Sequence, residues 1–122
     1  MPGKTARRVR VSLVDGGRSV ADAGLADSAI PRMIGLLGRD SLAPGDGLVL
    51  TPCNSIHTCF MRFAIDVVFL DRAGTVLRAV AALPPFRYAW GGLRAKTTIE
   101  LPAGSLDVLD IRPGAQIRIE PA

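Results

Sequence analysis

Short runs of alternating apolar and polar residues, each closed by a turn signal, constrain this chain more than any other feature. Val9, Val11 and Leu13 alternate with Arg8, Arg10 and Ser12, the period of two that a half-buried strand requires. Asp15-Gly16-Gly17 follows as a hairpin turn, because glycine reaches positive φ without steric cost. A short return strand is predicted over residues 18–21, and further strands over 48–50, 56–63, 65–70, 75–82, 97–101 and 116–120. Residues 43–47, 71–74 and 112–114 read as turns, residues 102–104 as a loop, and residues 83–95 as a long irregular stretch. One helix is predicted at about residues 25–37. Asp27 or Ser28 caps it, Pro31 fits its first turn, and Ile30, Met33, Ile34 and Leu37 form an apolar stripe ahead of Gly38. About eight short strands with one short helix predict a mainly β fold, a single compact antiparallel β-sandwich, jelly-roll-like, or a small barrel.

The chain of 122 residues is long enough to build one core, burying about two thirds of its unfolded surface. Residues 9–122 are read as that domain, behind a basic leader at residues 1–8 that is expected to be flexible. The chain is 48% hydrophobic and 21% charged, which excludes intrinsic disorder, and only 5% aromatic, so aliphatic side chains must make the core. Fifteen basic residues stand against eleven acidic ones. Lys4, Arg7, Arg8 and Arg10 precede the first acid, Asp15, and without those four the two signs balance at 11 each. A balanced body disfavours a dedicated nucleic-acid binder. No apolar run approaches the ~20 residues of a membrane-spanning helix. The start of the chain, with Arg10 inside its first apolar run, lacks the pattern of a secretory signal, so a cytoplasmic location is expected.

Chemistry concentrates between Cys53 and Asp71. On a strand, His57, Cys59 and Met61 would share one face and Ile56, Thr58 and Phe60 the other, with His57 and Cys59 ~6.6 Å apart along the backbone. Cys53, His57 and Cys59 are the candidate ligands for a transition metal, but a structural site wants four ligands in close pairs, so no metal is assigned. The same residues allow a thiolate with His57 as its base. The preferred reading leaves both thiols packed and His57 bonded to backbone. Asp66 sits in the otherwise apolar run Ile65-Asp66-Val67-Val68-Phe69-Leu70, which draws its carboxylate inward, where it must be paired or accept several hydrogen bonds. Arg39, Arg62, the Thr58 hydroxyl and backbone N–H groups are the candidate partners, and a paired acid pinning a loop or a helix end to the sheet is the preferred outcome. Glu100, within Thr98-Ile99-Glu100-Leu101, poses the same question. Residues 86–96 interleave three aromatics with three cations. Arg87, Trp90, Arg94 and Lys96 are thus the candidates for nucleic-acid contact, although no RNA- or DNA-binding motif accompanies them. No Walker loop, GxGxxG, GxSxG or HExxH motif is present, and no cofactor is expected.

The blocks Arg32-Met33-Ile34-Gly35-Leu36-Leu37-Gly38-Arg39, Gly45-Asp46-Gly47-Leu48, residues 57–71 and Thr98-Ile99-Glu100-Leu101-Pro102-Ala103-Gly104, with a late Gly114, occur in a set order. In this the chain resembles the bacterial and archaeal family known as domain of unknown function 192, over roughly residues 9–120. Leu37 and Leu48 stand where that family commonly has methionine, and Ala64 where it commonly has proline. The resemblance implies a mainly β domain, a compressed sandwich or jelly-roll-like sheet pair with one short helix. It implies no reaction. Many relatives are exported, and this chain shows no export signal. Its motif positions nominate Arg32, Gly35, Arg39, Met61, Asp66 and Glu100 for any shared site, with Arg39–Asp66 the first pair to test.

Together these features predict a small binding or accessory module without a reaction of its own. Its pocket is expected near the His57–Asp66 strands, lined by Arg32, Arg39, His57, Met61, Asp66 and Glu100, for an unknown small ligand or protein partner. The alternatives are an enzyme using Asp66 with His57 or a cysteine, and a weak nucleic-acid-associated protein acting through the leader and residues 87–96.

Overall fold

The computed structural model describes residues 7–26 and 40–122. Nine strands organise it: β1 (Arg8–Leu13), β2 (Ser19–Ala26), β3 (Asp46–Leu50), β4 (Ser55–His57), β5 (Ile65–Leu70), β6 (Val76–Leu83), β7 (Tyr88–Trp90), β8 (Thr97–Pro102) and β9 (Ile117–Pro121). One short helix, α1 (Ser105–Leu109), precedes β9. Seven strands form one sheet in the order β6-β5-β8-β3-β2-β1-β9, and β4 pairs with β7 in a separate two-stranded ribbon. The expected mainly β fold is what the chain adopts.

The large sheet curls into a half-barrel because its two outermost strands meet. Thr75 bridges Gln116, Val76 N–H donates to Ala115 O at 2.8 Å, and Ile117 N–H donates to Gly74 O at 2.9 Å. Gly74 makes the closure possible: its φ is +86°, and a Cβ there would lie 2.5 Å from Ile117 O. Inside the curl, all seven strands and α1 contribute to one aliphatic core that includes Val11, Val20, Val49, Val68, Val76, Ile99, Leu106 and Ile117. A second cluster forms on the other face of β5, where Ile65, Val67 and Phe69 pack with Ile56, Met61 and Ala89 beneath the β4–β7 ribbon. Every residue of β5 is therefore buried, and that two-sided burial explains its unbroken apolar run.

Four features differ from the expectations above. The pair β2–β3 is parallel, while the other strand pairs are antiparallel. β2 runs on to Ala26, through Leu25, because pairing with both β1 and β3 overrides the poor strand propensity of Ala21-Asp22-Ala23-Gly24. The remainder of the predicted helix, residues 27–37, lies outside the described residues, as do Arg32 and Arg39. The helix that is described follows Gly104, whose φ of +97° redirects the chain, in a segment too short for a helical apolar stripe. Arg8, placed in the leader by sequence, opens β1 opposite Gly24. Among the described residues no helix is long and apolar enough to cross a membrane.

Candidate functional site

The predicted strand over residues 56–63 stops at His57. Met61 N–H donates to Thr58 O at 3.1 Å, and Phe60 takes a φ of +65°, so the chain turns where alternation predicted extension. His57, Cys59 and Met61 consequently do not share a face: His57 is exposed, Cys59 half-buried and Met61 buried. His57 Nδ1 accepts a hydrogen bond from Cys59 N–H at 3.3 Å, while Cys53 Sγ donates to Ser55 O at 3.1 Å. Among the described residues, no three His, Cys, Asp or Glu side chains gather where they could hold a metal ion.

Asp66 is fully buried, and its carboxylate is satisfied by backbone alone. Oδ1 accepts from Ala82 N–H at 2.8 Å; Oδ2 accepts from Gly104 N–H at 3.1 Å and Leu106 N–H at 2.8 Å. Ala82 lies where β6 bulges against β5 with a φ of +50°, and Gly104 and Leu106 open α1. One carboxylate thus ties a bulge and a helix start to the central strand. The side-chain partners considered from sequence are engaged elsewhere: Arg62 pairs with Asp40 at 2.7 Å, and the Thr58 hydroxyl donates to Pro84 O at 2.6 Å. Arg39 lies outside the described residues.

Glu100 is the opposite case. In the β5–β8 register Asp66 faces Leu101 and Val67 faces Glu100, and directly opposed residues share a face. Asp66 therefore points into the curl with Leu101 and Leu106, and Glu100 points out of it with Val67 and Leu48. The two acids stand on opposite sides of the sheet. Glu100 is only 5% exposed, and its Oε1 is the sole buried side-chain nitrogen or oxygen among the described residues without a hydrogen-bond partner. Burial among apolar neighbours pushes its carboxyl up from 4.5 to about 7, since desolvation penalises the charged form.

A second region of chemistry surrounds the β4–β7 ribbon. Ile56 and Ala89 pair and face the core, leaving Tyr88 and Trp90 outward at 68% and 47% exposure. Beyond the ribbon, Phe60 and Phe86 meet edge to face with ring centroids 5.6 Å apart. Beside it, the Asp71–Ala73 turn and residues 93–96 enclose a cleft of about 450 Å³ flanked by Arg72, Arg94 and Lys96. Arg72 and Arg78 carry no motif that marks them from sequence. One signal was readable: residues 72–99 hold five cations and no acid.

The fold and these sites define a curled-sheet β domain with a saturated acid inside the curl and an unpaired acid outside it. The sequence pattern of the DUF192 family, described as "Uncharacterized ACR", matches residues 11–119. The chain belongs to that family. A UPF0127 protein of Pyrococcus abyssi is 36% identical over 76% of this chain and 81% of its own length. Two crystal structures share the fold: a protein of unknown function from Novosphingobium aromaticivorans and a candidate transcription regulator from Sinorhizobium meliloti. The first has a TM-score of 0.79 at 19% identity, covering 91% of this chain and 83% of that one. The second has a TM-score of 0.78 at 21% identity, covering 93% and 92%.

Proposed function

We propose that this domain is a binding module without a reaction of its own, and that its ligand offers a hydrogen-bond donor to Glu100. The buried, partnerless Oε1 of Glu100 carries the reading. Leaving such an oxygen unsatisfied costs about 1–3 kcal/mol, while the same fold supplies three N–H donors to Asp66. A carboxyl that titrates at about 7 meets an approaching ammonium with its charge available on demand. The apolar neighbours Val67 and Leu48 suit the carbon chain of such a ligand. A small organic amine fits both requirements. An acid–base enzyme built on Asp66 is the poorer reading, because its carboxylate is fully buried and engaged and His57 is exposed on β4.

The test is thermal stabilisation by n-butylamine, putrescine and agmatine, with n-butanol as the uncharged match, on wild type and Glu100→Gln. The amines are expected to raise the wild-type Tm more than n-butanol does and to leave the variant unmoved. Titration calorimetry in two buffers near pH 7 should show a proton released on binding, because the ammonium favours ionised Glu100. Equal shifts in wild type and Glu100→Gln, or no shift by any amine, would overturn the reading.

A further inference from the structure

We infer that the outer face of the β4–β7 ribbon and the adjoining cleft bind single-stranded nucleic acid. Phe86, Tyr88 and Trp90 recur at every second residue and are 58%, 68% and 47% exposed. On the extended backbone of β7, Tyr88 and Trp90 stand about 6.6 Å apart on one side, while Phe86 sits on the bend that precedes the strand. Trp90 and Tyr88 oppose Ser55 and His57 across the ribbon, so small or planar neighbours leave their rings clear. Phe60 and Phe86 extend the row. Both hold left-handed backbone, with φ of +65° and +62°, which costs a bulky residue about 1–3 kcal/mol. That strain keeps two phenyl rings in solvent, at 75% and 58% exposure, where they add nothing to the core.

Around this row cations outnumber acids. Arg78 Nη1 donates to the Trp90 carbonyl at 2.8 Å, Arg87 lies between Phe86 and Tyr88, and the row leads to the cleft flanked by Arg72, Arg94 and Lys96. The adjacent acid, Asp71, spends Oδ1 on the N–H groups of Ala73 and Thr75, each at 2.9 Å. The balance of 11 basic and 11 acidic groups that disfavoured a nucleic-acid binder is an average over the body. Folding gathers part of the acid-free stretch from residue 72 to residue 99 here, with Arg78 on the Trp90 carbonyl and Arg94 and Lys96 at the cleft. A polymer of flat bases and phosphates uses both halves of the surface, rings for stacking and guanidinium or ammonium groups for phosphate. A lipid headgroup layer would accept the same cations and interfacial rings, and the vesicle arm of the experiment below tests it against the polymer.

Trp90 is the only tryptophan, so its emission reports on the site directly. Labelled oligothymidine of about twelve nucleotides, the size one such surface covers, is titrated into the full-length protein at about 50 mM salt. Quenching of Trp90 emission and a rise in anisotropy are expected. Tyr88→Ala and Trp90→Ala should each weaken binding about tenfold, the loss of one stacked base. Arg94→Glu/Lys96→Glu should weaken it further and flatten the salt dependence by about 1.4 in log–log slope, at ~0.7 per phosphate contact. Arg118→Glu on β9 and Lys4→Ala/Arg7→Ala should leave the quenching unchanged. Three results would overturn the inference: no quenching, binding lost in Lys4→Ala/Arg7→Ala but kept in Trp90→Ala, or a Trp90 response to anionic phosphatidylglycerol vesicles and none to the oligonucleotide. So would sedimentation of a dimer in which Trp90 is shielded.

Discussion

Glu100→Gln should change how stability depends on pH, and its size follows from the burial of one carboxyl. In the folded chain this group titrates at about 7 rather than 4.5. Between those values the folded state holds a proton that the unfolded chain releases, so stability falls as pH rises through the interval and levels off above it. About 2.5 pH units at about 1.36 kcal/mol each give a loss of about 3 kcal/mol between pH 4.5 and 8. Glutamine cannot ionise and should lose none of it. The unpaired amide it buries shifts the variant by a constant that does not vary with pH. Urea unfolding of both proteins at pH 5, 6, 7 and 8 isolates the effect, because other titrating groups cancel in the difference. Relative to wild type, the variant should gain about 3 kcal/mol across the series, or about 10 °C in Tm for a domain of this size. A difference that stays flat with pH would refute the claim that Glu100 is held unpaired in an apolar setting.

Asp66→Ala should cost about 3–9 kcal/mol, since it strands the N–H groups of Ala82, Gly104 and Leu106 at about 1–3 kcal/mol each; a loss below 1 kcal/mol in urea midpoint analysis would contradict the pinning role. Gly74→Ala should be far more damaging than Gly16→Ala. Both glycines have positive φ, but a Cβ at Gly74 meets Ile117 O at 2.5 Å and one at Gly16 meets nothing within 4 Å. The expected costs are about 1–2 kcal/mol for the backbone strain alone and more than that where the clash adds, read from paired melting curves. Phe60→Gly should raise stability by about 1 kcal/mol by relieving left-handed strain at an exposed ring, whereas Met61→Ala should lower it by about 2–5 kcal/mol through a cavity in the second cluster. Equal effects at the two neighbours would mean that the turn at residues 58–61 is misplaced.

Much of the scaffold was legible locally. The alternation around Val9, Val11 and Leu13 located β1, and the apolar run from Ile65 marked β5 at its observed limits. That run also showed that Asp66 must go inward and be satisfied there, with backbone N–H groups among its partners. The turn after His57 was hidden. Thr58, Cys59 and Phe60 all suit strands by type, and the turn is held by distant groups, through Thr58 N–H to Arg87 O at 2.8 Å and Phe86 N–H to Thr58 O at 3.0 Å. The parallel pairing of β2 with β3 was equally silent, because alternation within a strand does not encode the direction of its neighbour.

The candidate site divides along the same line. Sequence alone drew Asp66 inward, because all the other residues from Ile65 to Leu70 are apolar, and raised the same question more mildly for Glu100 within Thr98-Ile99-Glu100-Leu101. It also held the acid-free stretch from residue 72 to residue 99. Only tertiary structure decided that the acids part company. Strand register is a relation between segments distant in sequence, and pairing Val67 with Glu100 rather than Asp66 with Glu100 sends one carboxylate to waiting N–H donors inside the curl. The other emerges on the apolar outer face without a partner, because a shift of one residue in register exchanges the two faces of a strand.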